Sequence, residues 1–173
     1  MDKASLRTKH LNLRQINQRH LSKLNQVITL KCLSQLEKYH SIGIYVSKEY
    51  EVDTRLILES LFKQNKIVCV PKIIDHRMVF IQIKGLNECA PSSFGILEPL
   101  SNQGYPNLIE VMVIPMLAYQ KDYHRLGWGL GYYDHYLKDY QGYKLGLCFK
   151  MNEEPLLIPS AHDIACDTII TED

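Results

Sequence analysis

The sequence predicts an α/β fold in which helices cover both faces of a single sheet. Short apolar segments rich in β-branched residues, such as 41–47 and 111–115, are typical of buried strands. They alternate along the chain with longer segments whose apolar residues recur at helical spacing. This alternation is the pattern of α/β proteins. At 173 residues the chain suffices for one hydrophobic core, so we expect a single domain over 1–173.

The first 71 residues predict a helical region followed by a strand-helix-strand unit. Residues 3–38 contain no glycine or proline and predict one long helix, or two helices with a break. The apolar segment 41–47 predicts a strand, and 51–65 predict an amphipathic helix that Asp53 is suited to cap. A second strand is predicted at 66–71.

The rest of the chain supplies the remaining strands. The alternating segment 78–84 predicts an antiparallel or edge strand, whereas 111–115 is apolar throughout, as a central strand would be. Between them, 85–107 is rich in Gly, Pro, Ser and Asn and predicts a loop. The last predicted elements are a helix starting near Tyr132 and strands at 143–149 and 167–171.

Charge and cysteine content exclude several classes of protein. A net charge of +1 provides no overall field for binding nucleic acid or a membrane surface. The five cysteines are widely spaced and form no CxxC pair, which argues against a disulfide framework or a zinc site. The N-terminus has no apolar core like that of a secretion signal. We therefore expect a cytoplasmic protein with reduced, buried thiols.

The segment RLGWGLGYYDHYL, residues 125–137, is the strongest candidate for a functional site. Glycines at alternate positions let a backbone adopt positive φ and approach a ligand closely, and the helix that follows would direct free N–H groups at it. The spacing is neither the dinucleotide fingerprint GxGxxG nor a P-loop. Arg125 and Asp134 suit a polyphosphate and its Mg²⁺. A tight turn with a surface ion pair explains the same residues equally well.

Other charged residues are weaker candidates. Lys3, Arg7, His10 and Arg14 share one face of the predicted first helix and could meet phosphates, although such a stripe is more often solvated. Asp163 lies in a loop near the chain end, where it could add a second carboxylate to a metal site. Glu51 follows a predicted strand, but an isolated glutamate there is more often simply exposed.

Several segments together resemble the 5-formyltetrahydrofolate cyclo-ligase family, whose members are also called 5,10-methenyltetrahydrofolate synthetases. The matching segments are KASLR (3–7), EVDT (51–54), FGILEP (94–99), VIPMLAY (113–119), RLGWGLGYYDHYL (125–137) and HDIACD (162–167). They run in the family's order over nearly the whole chain, and the RLGxGxGYYD core is highly specific.

The resemblance implies an ATP- and Mg²⁺-dependent enzyme. Its substrate would be 5-formyltetrahydrofolate, with or without a polyglutamate tail, and its products 5,10-methenyltetrahydrofolate, ADP and phosphate. The formyl oxygen would take the γ-phosphoryl group, after which N10 attacks the activated carbon and phosphate leaves. The implied fold is a three-layer α/β/α sandwich with a mostly parallel sheet, similar to ribose-5-phosphate isomerase and CoA-transferase relatives. We expect a monomer with no nucleic-acid or membrane partner.

The resemblance also implies roles for individual residues. Arg125 and Tyr132 would be catalytic, Val46, Glu51, Trp128 and Tyr132 would bind the folate, and Asp134 and Asp163 would hold the metal. The implied ATP-binding residues are Lys3, Ala4, Ser5, Leu6 and Arg7 at the N-terminus and Arg125, Leu126, Gly127, Trp128, Gly129, Leu130, Gly131, Tyr132 and Tyr133 in the glycine segment.

Four residues depart from the family pattern and leave other functions open. Leu130 stands where relatives carry Gly or Lys, Met116 and Tyr123 replace glycines, and Gln120 replaces an aspartate. One alternative is a nucleotide- or folate-binding protein of this fold with lost or altered activity. Another is a related enzyme that keeps the ATP site and acts on a different amide or formyl compound.

Overall fold

The computed structural model describes residues 2–92 and 95–173. Its helices are α1 (Lys3–Ile16), α2 (Gln18–Leu36), α3 (Arg55–Lys63) and α4 (Tyr132–Leu137). Its strands are β1 (Ser41–Ile44), β2 (Ile67–Ile74), β3 (Arg77–Ile83), β4 (Cys89–Pro91), β5 (Leu97–Pro99), β6 (Val111–Pro115), β7 (Ala118–Tyr119), β8 (Arg125–Leu126), β9 (Tyr143–Leu147) and β10 (Thr168–Ile170).

Six strands form the central sheet, in the order β10-β9-β6-β1-β2-β3. Neighbouring strands are parallel except for β2 and β3, which form an antiparallel hairpin at one edge. The predicted α/β fold with a mostly parallel sheet is therefore confirmed, as is the antiparallel edge strand. β6 lies inside the sheet and all five of its residues are buried, as its uninterrupted apolar sequence predicts.

Alternating side chains of the sheet form two hydrophobic layers. On one face, residues such as Ile42 and Val113 pack with α2 and α3. On the other, residues such as Met112 and Ile114 pack with Leu137 of α4 and with tyrosines around it. The period-2 geometry of strands separates the two sets, so helices cover both faces as predicted.

The N-terminal helical region is divided in two. Asn17 interrupts the helix with φ −94° and ψ 10°, and its side-chain amide donates to the Leu13 carbonyl at 2.8 Å. The side chain thereby adds a second hydrogen bond to a carbonyl that already accepts from the Asn17 backbone amide at 3.2 Å, which reinforces the end of α1. This agrees with the predicted alternative of two helices with a break.

The helix predicted over 51–65 is shorter than expected. It spans Arg55–Lys63, and its N-cap position is Thr54 rather than Asp53. The residues before it form a turn in which the Tyr45 hydroxyl donates to the Val52 carbonyl at 2.8 Å and the Thr54 hydroxyl to the Tyr45 carbonyl at 2.7 Å. Asp53 still accepts from the Arg55 amide at 3.0 Å. Side-chain bonds of this kind compete with helix formation.

The segment predicted as a loop at 85–107 contains two short strands. β4 and β5 pair antiparallel, and Lys72 of β2 donates to the Pro99 carbonyl at 2.6 Å. Part of the FGILEP segment, Phe94, lies outside the described residues. A second short hairpin, β7–β8, leads into the glycine segment. Both hairpins escaped prediction because their strands are only two or three residues long, which is too short to show a hydrophobic period.

All five cysteines are unpaired, and four of them are buried, as the sequence predicts. Burial raises the pKa of Cys32 and of Cys166 to about 12, so both thiols stay protonated at neutral pH. None of the helices formed by the described residues is long and apolar enough to cross a membrane.

Candidate active site

A cleft of about 790 Å³ opens beside the carboxyl ends of β1 and β6. This is the position at which open α/β sheets bind ligands. It contains most of the residues singled out in the sequence. The predicted site residues that line it are Lys3, Arg7, Val46, Glu51, the whole of 125–133, Asp134 and Asp163.

The glycine segment forms an irregular loop between β8 and α4, which we call the glycine loop (127–131). Gly129 has φ +110°, and Gly131 has φ +71° at the N-cap of α4. These backbone angles explain two of the three glycines. Gly127 has no positive φ, and its carbonyl accepts from Arg7 Nε at 2.8 Å. The N-terminal helix is therefore fastened to the glycine loop by one of the predicted phosphate contacts.

Arg125 and Asp134 form an ion pair at the inner end of the cleft. Arg125 Nη1 lies 2.8 Å from Asp134 Oδ1 and also donates to the Ile164 carbonyl at 2.9 Å. The same Asp134 oxygen accepts from the Ile164 amide at 3.0 Å. The Arg125 side chain is only 2% exposed, so this is not the surface pair considered as an alternative. Its buried Nε has no partner among the described residues.

Lys3 and Asp163 form a second ion pair in the lining of the cleft. Lys3 also donates to the Ser160 hydroxyl at 2.8 Å, and Asp163 Oδ2 accepts from the Ser160 amide at 2.7 Å. Burial alone would raise the pKa of the Asp163 carboxyl, but the hydrogen bonds from Lys3 and Ser160 outweigh it and lower the pKa. Asp163 is therefore ionised at neutral pH.

The stripe on α1 divides into two functional halves. Lys3 and Arg7 face the cleft, whereas His10 and Arg14 are buried away from solvent. The Arg14 guanidinium donates to the Met116 and Leu117 carbonyls at 2.7 and 2.8 Å. The N-terminal part of α1 therefore lines the cleft, and its later turns anchor the helix to the rest of the protein. The expectation of one solvated face was wrong.

Three predicted ATP-binding residues do not line the cleft. Ala4 and Ser5 are exposed, and Leu6 is 1% exposed within a small core formed with Ala118, Leu126 and Leu157. The reason is helical geometry, since residues three and four apart share a face and those between them point elsewhere. Of the segment 3–7, only the two cations at i and i+4 reach the cleft.

Val46 and Glu51 bound the opposite part of the cleft, in the turn after β1. The Glu51 carboxylate accepts from the Lys48 amide at 2.9 Å and is 8% exposed. Burial raises the pKa of this carboxyl, and the Lys48 amide and the Lys48 ammonium oppose that shift. A buried carboxylate with spare acceptor capacity suits a ligand that presents N–H donors.

Aromatic side chains from the glycine segment close the space between these two parts. Trp128 and Tyr132 line the cleft, and Tyr133 packs edge-on against Phe80 with ring centroids 6.5 Å apart. The buried Tyr133 hydroxyl has no partner within the described part of the chain. Burial raises the pKa of Tyr133, so the hydroxyl keeps its proton and remains a donor.

The four departures from the family pattern leave the charged groups of the cleft in place. Met116 is buried and packs over Gly146, and Gln120 and Tyr123 lie in the turn between β7 and β8. Tyr123 adopts φ 68°, the left-handed conformation that a glycine would adopt without strain. Only Leu130 lines the cleft, where its side chain is 69% exposed.

Sequence reasoning missed part of the cleft wall. Ile96 and Glu98 of the FGILEP segment line the cleft, as do Lys48 and Lys72. Glu98 and Lys72 sit on strands that are far apart in the sequence, and no motif links them. Lys48 differs, because it lies between the two predicted folate contacts Val46 and Glu51.

Comparison with known proteins places the whole chain in one family. The sequence model of the 5-formyltetrahydrofolate cyclo-ligase family matches residues 1–172. A 5-formyltetrahydrofolate cyclo-ligase of Mycoplasma pneumoniae is 30% identical over 182 residues and is aligned along the full length of both chains. The mouse enzyme of that name is 30% identical over 160 residues, 81% of this chain and 77% of its own.

Solved structures agree with the sequence matches. The 5,10-methenyltetrahydrofolate synthetase of Mycoplasma pneumoniae superposes with a TM-score of 0.82 at 27% identity, covering all of both chains. The corresponding synthetase of Aquifex aeolicus gives a TM-score of 0.87 at 27% identity, covering 99% of this chain and 90% of its own. The chain belongs to the 5-formyltetrahydrofolate cyclo-ligase family.

Proposed function

We propose that the cleft binds ATP and 5-formyltetrahydrofolate together and forms 5,10-methenyltetrahydrofolate, ADP and phosphate. The observation that carries this proposal is the convergence of Lys3, Arg7 and Arg125 with a glycine loop on one side of a cleft whose other side holds Glu51. Three cations and positive-φ glycines suit a triphosphate. The buried carboxylate suits the N–H edge of a pterin.

The phosphates lie against the glycine loop in this proposal. Lys3 and Arg7 approach from α1, and Arg125 approaches from β8. Phosphoryl transfer depends mainly on positioning and charge stabilisation, so it needs cations in fixed places rather than a protein nucleophile. Arg125 is fixed in this way, because Asp134 and the Ile164 carbonyl hold one end of its guanidinium while its Nε stays available.

The folate lies between Val46, Glu51, Trp128 and Tyr132. The Glu51 carboxylate would accept hydrogen bonds from the 2-amino group and N3–H of the pterin. The formyl oxygen then attacks the γ-phosphorus of ATP and ADP leaves. N10 attacks the activated carbon and so closes the ring, after which N10 loses its proton and phosphate departs with the former formyl oxygen. Trp128 and Tyr132 exclude water, which would otherwise hydrolyse the phosphorylated intermediate.

Asp134 and Asp163 fit a bound Mg²⁺. Each carboxylate uses only one of its oxygens in hydrogen bonds with other described residues, which leaves Asp134 Oδ2 and Asp163 Oδ1 available. Mg²⁺ binds one or two carboxylates together with phosphate oxygens and water. No group of three or more His, Cys, Asp or Glu side chains that could hold a metal occurs among the described residues. When bound, the ion would neutralise phosphate charge.

The test is a direct assay of turnover. Purified protein is mixed with 5-formyltetrahydrofolate and Mg²⁺, with and without ATP, and the absorbance of methenyltetrahydrofolate is followed. We expect an ATP-dependent rise. A folded protein that gives no rise would refute the proposal. If that protein still bound ATP or folate tightly by calorimetry, the result would support the alternative of a binding protein with lost activity, which the Leu130 substitution leaves open. The monomeric state, the single domain and the cytoplasmic location stay predictions.

A further inference from the structure

Lys48 and Trp128 join two walls of the cleft. Lys48 lies in the turn after β1, and Trp128 lies in the glycine loop. The Lys48 ammonium sits 3.7 Å from the centroid of the Trp128 ring. This is well inside the distance of about 6 Å at which a cation interacts favourably with an indole face.

The turn that carries Lys48 is held firmly. Its backbone amide donates to the Glu51 carboxylate at 2.9 Å, and its carbonyl accepts from the Glu51 amide at 3.1 Å. The Tyr50 carbonyl that follows accepts from the buried Arg14 at 2.8 Å. Lys48 therefore projects from a rigid base.

The glycine loop has fewer restraints. Gly129 and Gly131 have positive φ, and glycine backbones lose more conformational freedom on ordering than those of other residues. Arg7 holds the loop's backbone through the Gly127 carbonyl. The contact between Lys48 and the Trp128 side chain is a second restraint on the loop, beside the hydrogen bond from Arg7.

We propose that Lys48 is a positioning residue that holds the glycine loop over the cleft by binding the face of Trp128. The proposal rests on the proposed function, since it assigns the loop to ATP and the turn after β1 to the folate. The new element is that the Lys48–Trp128 contact couples the two substrate sites. Because Trp128 also lines the proposed folate site, a bound folate restrains the loop further, so each substrate binds more tightly when the other is present.

Kinetics of Lys48→Met test this role. The variant keeps an unbranched side chain, one atom shorter than lysine, and removes its charge. A loop that is less firmly held weakens the ground-state and transition-state complexes alike, so KM for ATP should rise while kcat changes little. A cation–π contact of ordinary strength predicts a rise of about two- to thirtyfold. Lys48→Arg should restore KM, because a guanidinium also stacks on an indole.

Lys38→Met is the matched control. Lys38 makes the same kind of contact with Tyr39, 5.1 Å from its ring centroid, and does not line the cleft. Its loss should leave KM and kcat unchanged. Lower kcat with unchanged KM in Lys48→Met, or no rescue by Lys48→Arg, would overturn the proposal.

Fluorescence provides an independent readout. Trp128 is the only tryptophan, so all indole emission reports on the glycine loop. Removing the ammonium that covers its face should increase quenching by acrylamide in the ligand-free protein. Equal quenching in wild type and Lys48→Met would show that the contact does not hold the loop.

A double-mutant cycle separates positioning from direct ligand binding. If Lys48 acts through Trp128, Lys48→Met should have no further effect on ATP affinity in a Trp128→Leu background. A full effect in that background would mean that Lys48 touches the ligand itself, which contradicts the proposal.

Calorimetry distinguishes the two proposals. If the wild-type protein binds neither ATP nor 5-formyltetrahydrofolate, the proposed function fails. If it binds both and Lys48→Met changes neither the affinity for ATP nor its enhancement by folate, only the role of Lys48 fails.

Discussion

Arg125 donates to Asp134 across 2.8 Å, and the pair places a nearly buried guanidinium beside a carboxylate with one oxygen to spare. Both Asp134 oxygens are therefore committed once a metal ion is bound, one to Arg125 and the other to the ion. This sharing makes the aspartate the residue through which the metal and the phosphate-binding arginine affect each other.

Asp134→Asn should raise the Mg²⁺ concentration needed for half-maximal turnover and depress turnover. The amide oxygen can still accept from Arg125, but a neutral group is a poor ligand for a hard cation. A Mg²⁺ titration at saturating ATP measures the effect. Asp139→Asn, an exposed residue beyond α4, is the control and should behave as wild type. Unchanged metal dependence in Asp134→Asn would remove it from the metal site.

Two glycines of the glycine loop should differ sharply when each is replaced by alanine. At Gly129, φ is +110° and a Cβ would lie 3.2 Å from Arg7 Cζ. At Gly127 a Cβ meets nothing within 4 Å and φ is not positive. Backbone strain of about 1–2 kcal/mol should make Gly129→Ala about tenfold worse in kcat/KM for ATP. Gly127→Ala should stay within about twofold of wild type, and equal effects would contradict this geometry.

Glu51→Gln should weaken folate binding far more than ATP binding. The amide replaces a charged acceptor by a neutral one, and hydrogen bonds to charged groups contribute about 1.5–3 kcal/mol. We expect a loss of folate affinity of about tenfold or more by calorimetry, with ATP affinity within about twofold. The exposed Glu49→Gln is the control. Equal losses for both ligands would place the folate elsewhere.

Folate affinity should also fall on the acid side. Burial raises the pKa of the Glu51 carboxyl, so it takes up a proton at a less acidic pH than an ordinary glutamate. Only the ionised form accepts two hydrogen bonds from the pterin edge. Affinity should be full above the raised pKa and decline as pH falls through it, and Glu51→Gln should lack this decline. If folate affinity depended on pH in the same way in wild type and in Glu51→Gln, Glu51 would be excluded as the source of the pH dependence.

The buried His10 should make stability pH-dependent near neutrality. Asn152 is oriented by Arg14, so its amide donates to His10 Nδ1, and His10 Nε2 therefore carries the proton that Glu154 accepts at 2.9 Å. Burial lowers the pKa of His10 in the folded protein, although Glu154 opposes this shift. A second proton, on Nδ1, would point at the Asn152 amide donor, so protonation of His10 would break this hydrogen bond.

The sign of this pH effect follows from linkage. The unfolded chain takes up a proton at a pH near 6.5 and the folded chain only at a lower pH, so stability is full above about 6.5 and declines as pH falls below it. The pKa of Glu154 is lowered to about 2, because bonds from Lys9 and His10 outweigh its burial, so its own contribution fades only below about 4.5. Thermal unfolding at several pH values should show a decline near pH 6 that His10→Gln lacks and the exposed control His20→Gln retains.

The sequence alone determined the class of fold and the positions of most strands. The apolar run of β6 and the alternation of β3 identify a buried strand and an edge strand, since the period of hydrophobic residues reflects which faces are covered. The specific RLGxGxGYYD core identified the family, and Lys3, Arg7, Glu51, Arg125 and Asp134 all reach the cleft.

Tertiary structure decided what the charged residues do. Four basic residues on one face of α1 look alike in the sequence, yet Lys3 and Arg7 reach the cleft while His10 and Arg14 satisfy buried groups. The reason is that only the fold brings the Met116 carbonyl and Glu154 against that helix. The Lys48–Trp128 contact joins residues 80 positions apart, a separation at which no spacing rule operates. The local sequence pattern specifies which face of a helix or strand is covered. Long-range packing specifies which residues cover it.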